Sequence, residues 1–264
     1  MYRPFTRRRV YFDRTMNAMV YLLPRLYPKP GLGNVGFYCP NPGSSSPEFM
    51  CLMSQDMPDL GGAGVSGVNI FCRWRYEAVV GEGMLDLQAD GEVIDGYRRI
   101  DNITNEALGR FRATYGDAIT KEDIFFYVYG LLHSPDFRET YAADLKKMLP
   151  RIPLVEDAGP FIDAGRALSE MHLGYESATP YPLDGLDGDA PVGNAAYDFF
   201  RVTKMRFGKP TADQRAAGER ADRTTIVYND TITLSGVPEA AYRYMLGSRS
   251  AIEWIIDRYR VQNS

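Results

Sequence analysis

The sequence predicts an α+β protein in which a β-rich N-terminal lobe with long loops, residues 1–118, is followed by a helical and mixed lobe, residues 119–264. Three observations predict it. Short apolar and β-branched runs between Gly, Pro and Ser clusters fill the first part, helical spacing begins at Thr120, and strand signals return beyond residue 200. A chain of 264 residues suits one large domain or two small ones. It can bury roughly 70–75% of its unfolded surface without a disulfide or a metal.

The elements follow in order. Val10–Phe12, Phe49–Met53 and Val68–Cys72 read as strands, and Asn41–Pro47 as a surface loop. Thr120 with Asp123 forms a capping box opening the apolar helix Ile124–Leu132. Ser134 and Pro135 are an N-cap and a first helical position, after which Phe137, Tyr141, Leu145 and Met148 share one face. Phe161, Ala164, Leu168 and Met171 give a third helix, stopped by Gly174. Residues 181–194 are loop-like, Phe200–Phe207 reads as a strand, and Lys209–Asp222 is polar. Thr225–Tyr228 and Thr231–Leu234 flank Asn229-Asp230 as a hairpin with a two-residue turn. Pro238 opens a helix through Met245, and a Ser250/Glu253 box caps a last helix with Ile252, Ile255, Ile256 and Tyr259 on one side.

Composition narrows the function. With 45% hydrophobic and 24% charged residues, the chain is neither a disordered tail, a collagen-like rod nor a coiled coil. No apolar run approaches the ~20 residues of a membrane span, so no membrane partner is expected. Cys39, Cys51 and Cys72 are an odd number without short spacing, which reads as reduced thiols of a cytoplasmic protein. The net charge of −4 is unevenly spread. Residues 1–80 hold nine basic and five acidic side chains, whereas the remainder is net acidic. Such asymmetry points to one face for a polyanion.

A search for catalytic motifs finds little. Gly62-x-Gly64-x-x-Gly67 has dinucleotide-fingerprint spacing, but a strand-like run follows it where a helix N-terminus would have to hold the pyrophosphate. It reads as a loop. His133 and His172 stand at helix ends without metal-motif spacing, so capping or packing is the plainer reading. No Walker A loop or Gly-x-Ser-x-Gly is present, and Asp56, Asp59, Asp184, Asp187 and Asp189 lie in turn-rich stretches. No catalytic residue and no metal site is assigned. What remains is Arg7-Arg8-Arg9, Arg73-Trp74-Arg75 and Arg98-Arg99, interleaved with aromatic residues. Arginine pairs with phosphate and forks onto guanine O6 and N7. Strand alternation would put Arg73 and Arg75 on one face and Trp74 on the other, which reads either as a binding strip or, more plainly, as a solvated strand face with Trp74 in the core.

Several longer motifs carry a family resemblance. Tyr129-Gly130-Leu131-Leu132-His133-Ser134-Pro135-Asp136-Phe137-Arg138-Glu139-Thr140-Tyr141, then Leu149-Pro150-Arg151-Ile152-Pro153, resembles the signature of specificity domains in type I single-polypeptide (ISP) restriction–modification enzymes and their type IIG relatives. Tyr2-Arg3-Pro4-Phe5, His172–Glu176, Lys204–Gly208, Ile226–Asp230 and Ala251–Tyr259 are similar to further family motifs. The resemblance implies a non-catalytic target-recognition domain that reads double-stranded DNA. Its parent chain would be an N6-adenine methyltransferase and ATP-dependent endonuclease. Methyltransferase and helicase domains would be its partners, and S-adenosylmethionine, ATP and Mg would bind upstream, with no cofactor in this segment. Tyr129, Leu132, Tyr141, Ile152, Trp254 and Ile255 are then expected as scaffold. Asn69, Arg73 and Arg75 are the preferred base-reading candidates, followed by Gln55, Arg98 and Arg99. Arg7, Arg8, Arg9, Lys204 and Arg206 are the candidates for phosphate contacts. The alternative is a protein–protein docking module with little DNA affinity of its own.

Overall fold

The computed structural model describes residues 2–43, 48–62, 67–79, 91–186 and 190–261. The chain forms two compact units, one of residues 1–2 and 8–178, the other of 3–7 and 179–264. The division therefore falls near residue 178 and not at 118. Helices expected to open a second lobe pack instead on the N-terminal strands and share their core.

The first unit begins with a single helical turn, α1 (Leu23–Leu26), and continues with β1 (Gly36–Pro40), β2 (Leu52–Ser54) and β3 (Val68–Cys72). These strands form an antiparallel sheet in the order β2-β1-β3. A second antiparallel sheet, ordered β4-β6-β5, comprises β4 (Trp74–Ala78), β5 (Glu92–Ile94) and β6 (Tyr97–Asp101). Val10–Phe12 forms no strand; Val10 and Tyr11 are exposed and have no sheet to join.

Five helices follow: α2 (Asn105–Tyr115), α3 (Lys121–Leu131), α4 (Pro135–Thr140), α5 (Ala142–Leu145) and α6 (Gly159–Leu173). Helix α2 lies in a stretch expected to be β-rich. Only Phe111 is buried on it, so its apolar periodicity is faint, although Thr104 caps it by accepting from the Ala107 amide. The Thr120/Asp123 capping box of α3 forms in both directions, and Ser134 caps α4 with Pro135 in its first turn. The helix expected to run through Phe137, Tyr141 and Leu145 breaks at Tyr141. Phe137 and Leu145 are buried, but Tyr141 and Met148 are exposed, so Tyr141 is no core residue.

The core joins the first sheet to α3. Phe37 of β1 packs at 5.5 Å from Phe125 and 5.7 Å from Tyr129, and its ring stacks on Phe71 of β3. Helix α6 crosses α3 backbone to backbone. A β-carbon added at Gly165 would lie 2.8 Å from the Phe126 carbonyl carbon and 3.0 Å from the Gly130 amide nitrogen, inside van der Waals contact. Only hydrogen fits there. Gly165, Ser169 and His172 are accordingly the buried residues of α6, while Met171, expected inward, is 62% exposed.

The second unit contains α7 (Asn194–Phe200), β7 (Arg206–Gly208), α8 (Ala212–Ala216), β8 (Asp222–Val227) and β9 (Thr233–Ser235). It ends with β10 (Met245–Leu246), β11 (Arg249–Ser250) and α9 (Ala251–Arg258). The sheet runs β7-β8-β9, antiparallel throughout. Most of the Phe200–Phe207 stretch is thus not strand, and the polar segment after it carries α8 with its own Thr211/Gln214 capping box. The expected hairpin forms, but Val227 pairs with Thr233, so its connection is five residues long. The buried Asn229 organises it: its Oδ1 accepts from the amides of Thr231 and Ile232, and its Nδ2 donates to the carbonyls of Phe199 and Arg201. After Pro238 there is only a short 3-10 turn, Glu239–Tyr242. The Ser250/Glu253 box caps α9, and Trp254 is buried with its indole N–H on the Leu246 carbonyl.

Candidate functional site

The basic and aromatic residues singled out in the sequence converge on the second sheet, where register assigns their faces. β4 pairs with β6 as Trp74↔Asp101, Arg75↔Ile100, Tyr76↔Arg99, Glu77↔Arg98 and Ala78↔Tyr97. Directly opposed residues share a face, so Trp74, Tyr76, Arg99 and Asp101 lie on one side and Arg75, Glu77 and Arg98 on the other.

Arg73 is not part of this strand. It sits in the bend between β3 and β4, donates its amide to the Val35 carbonyl, and is 7% exposed. Its guanidinium pairs with Asp101 and lies 4.3 Å from the centre of the Trp74 ring. Arg99 covers Trp74 as well, at 4.5 Å, and pairs with Glu92 at 2.8 Å. Trp74 therefore contacts two cations, each paired with its own carboxylate. Arg73 is a structural cation, which corrects its place as a leading base reader. It shares no exposed face with Arg75, because the strand begins one residue after it.

The opposite face is built differently. Arg75 reaches Glu77 Oε1 at 3.3 Å, and Arg25 of α1 reaches the same oxygen at 2.6 Å. All three side chains are more than 40% exposed. Arg98 faces this group across the strand pair. Buried Asn34 braces the arrangement: its Nδ2 donates to the carbonyls of Leu26 and Trp74, and its Oδ1 accepts from the Trp74 amide. Helix α1 is thereby held against the start of β4. Neither Arg25 nor Asn34 stood out in the sequence, since one isolated Arg and one loop Asn carry no spacing signal.

The remaining candidates are dispersed. Asn69 of β3 opposes Cys39 and shares its face with Phe71, the core side of the first sheet, where it is half-buried. Gln55 is exposed in the bend after β2. Arg8 and Arg9 are exposed in the first unit, and Arg8 lies 4.1 Å over the Tyr2 ring. Arg7 belongs to the second unit, as do Lys204 and Arg206, which point outward on either side of buried Met205. Of the glycine string, Gly64 lies outside the described residues, as do Ser44–Pro47, Asp187 and Asp189; Gly67 leads into β3 and not into a helix.

The two histidines come together inside the first unit, with ring centres 5.8 Å apart. The Tyr129 hydroxyl accepts from the Met53 amide at 2.8 Å and shares a hydrogen bond with His172 Nδ1 at 2.6 Å. His133 Nδ1 lies 2.9 Å from the Tyr129 carbonyl. Burial pushes both imidazoles down to about 4, which leaves them neutral at pH 7. The network ties β2, α3 and α6 into one scaffold. No cluster of three or more His, Cys, Asp or Glu with metal-holding geometry occurs among the described residues. Cys39, Cys51 and Cys72 are free and buried, and burial raises each thiol, that of Cys39 to about 12. No helix among the described residues is long and apolar enough to cross a membrane.

The family model described as the Type ISP C-terminal specificity domain matches residues 1–264. The chain belongs to this family. The specificity domain is similar in structure to a DrdV–DNA complex, with a TM-score of 0.78 and 30% identity over 100% of this chain and 24% of that one. It is also similar to the ATP-dependent Type ISP restriction–modification enzyme LlaBIII bound to DNA, with a TM-score of 0.74, 28% identity and 100% and 15% of the two chains covered. A nuclease-deletion mutant of the Type ISP enzyme LlaGI with a DNA substrate mimic gives a TM-score of 0.72 at 31% identity, covering 100% and 20%. The specificity domain thus spans between 15% and 24% of the length of these chains. Comparison with curated proteins gives no match.

Proposed function

We propose that this specificity domain recognises a specific sequence in double-stranded DNA on behalf of a longer restriction–modification polypeptide. The observation that carries the reading is the likeness over its whole length to three proteins solved with DNA or a DNA mimic. Adenine methylation, ATP-driven motion and cleavage, with their S-adenosylmethionine, ATP and Mg, belong to other domains of that polypeptide.

Among the base-reading candidates, Gln55, Arg98 and Arg99 retain exposed or half-exposed side chains, and Asn69 stands at the end of an edge strand. Arg8, Arg9, Lys204 and Arg206, all exposed, and Arg7 supply sequence-independent phosphate grip. The domain carries a net negative charge, so its grip is local and not that of a uniformly basic surface.

Selection from a random duplex pool at low and moderate salt tests the reading. Enrichment of one sequence at both salts is expected, and none at either would overturn it. A docking role is favoured by one observation: Val10, Tyr11, Met16, Met19, Tyr21 and Leu22 are all more than 60% exposed within 13 residues. Binding of the purified domain to its methyltransferase partner, abolished by polar substitutions at Met16 and Met19, would support that role beside DNA reading.

A further inference from the structure

Among the described residues, cations on and around the second sheet pair one to one with carboxylates: Arg73 with Asp101, Arg99 with Glu92, Lys29 with Asp95. At Glu77 the match fails, because two guanidinium groups, of Arg25 and Arg75, share a single carboxylate oxygen. Each guanidinium carries five N–H donors and this contact uses one of them, so among the described residues the pair keeps donors and one net positive charge. Both side chains and Glu77 are between 41% and 49% exposed. They are also positioned in advance, Arg75 by strand pairing and Arg25 by the Asn34 brace between α1 and β4. Two arginines converging on one carboxylate oxygen have the geometry that holds a phosphate oxygen.

We infer that Arg25 and Arg75 form a clamp for one backbone phosphate of duplex DNA, with Glu77 as a built-in placeholder that keeps the clamp assembled when no DNA is bound. This rests on the DNA-reading proposal and deepens it, assigning Arg25 a binding role and moving Arg75 from base reading to phosphate contact. Each phosphate contact contributes about −0.9 to the slope of log K against log salt, equivalent to roughly 8-fold in affinity between 1 M and 0.1 M salt.

The test is duplex binding by the whole 264-residue chain across a salt series, on the selected site and on random sequence. Arg25→Ala and Arg75→Ala should each lose about 8-fold more affinity at 0.1 M than at 1 M salt, equally on both duplexes, with the slope shallower by about 0.9. Glu77→Gln should bind more tightly, since the internal competitor for the clamp is gone. A wild-type chain that binds DNA while Arg25→Ala keeps its affinity and slope would overturn the clamp alone. So would Glu77→Gln weakening binding as much as Arg25→Ala, or losses confined to the selected site. A wild-type chain that binds no duplex at any salt would overturn the DNA-reading proposal and the clamp with it.

Discussion

Replacing Gly165 by Ala tests the helix crossing on which the first unit is built. In a helix interior this substitution gains about 0.5–1 kcal/mol from backbone entropy alone. At Gly165 the new methyl would stand 2.8 Å from the Phe126 carbonyl carbon and 3.0 Å from the Gly130 nitrogen, and closer still to the Phe126 carbonyl oxygen. Backbone cannot swing aside as a flexible side chain can, so α3 and α6 must separate by roughly 1 Å, and overpacking of this kind costs about 1–3 kcal/mol or more. The shift also loosens contacts of Phe126, Phe161 and Leu168 with the core, adding to the loss. We expect a net destabilisation of about 2–3 kcal/mol, read as a lower urea midpoint at unchanged m. Gly109→Ala is the control: Gly109 is an exposed position of α2 with nothing within 4 Å of the added carbon, so it should stabilise by about 0.5–1 kcal/mol. Gly130→Ala combined with Gly165→Ala should cost less than the two singles together, since one separation accommodates both methyls. Equal effects of Gly165→Ala and Gly109→Ala, or a stabilising Gly165→Ala, would refute the close crossing.

The remaining predictions follow from the buried groups and caps. His133 and His172 titrate at about 4 in the folded chain and near 6.5 when unfolded, so the unfolded state binds more protons between those values. Stability from these groups is complete above pH 6.5 and is lost as pH falls toward 4, by about 2 kcal/mol per histidine at pH 5; chemical denaturation across that range should show the slope, and His172→Gln should reduce it. Tyr129→Phe leaves the Met53 amide and His172 without their shared hydroxyl and should cost about 1–3 kcal/mol in the same assay. Arg73→Ala strands Asp101 beside a cavity and should destabilise by about 3 kcal/mol, with DNA affinity per folded molecule changing far less than for Arg25→Ala. Ser250→Ala removes a reciprocal cap on α9 and should cost about 1 kcal/mol, measured by thermal unfolding.

Local chemistry made much of the architecture readable. The Thr120, Ser134 and Ser250 caps mark their helix starts because capping involves residues three apart. The strand Val68–Cys72 appears where its pattern places it, and Tyr129, Leu132 and Trp254, expected as scaffold from the family motifs, are buried. The family could likewise be read from motifs spread along the chain. Where apolar spacing was followed alone it failed at Met171 and Tyr141, because the inward face of α6 is set by a glycine contact that hydrophobicity does not register, and the helix before α6 breaks at Tyr141.

Basic clusters flanked by aromatic residues at 73–75 and 98–99 were evident from the sequence by itself, as was the absence of familiar catalytic motifs. Tertiary structure decided which of those arginines are presented. Arg73 and Arg75 differ by two positions in sequence, yet one is buried against Asp101 and the other stands at the surface beside a partner 50 residues away. The reason is physical: a guanidinium carries the same charge wherever it stands, and whether it holds the fold or meets a ligand depends on which carboxylates long-range pairing brings beside it.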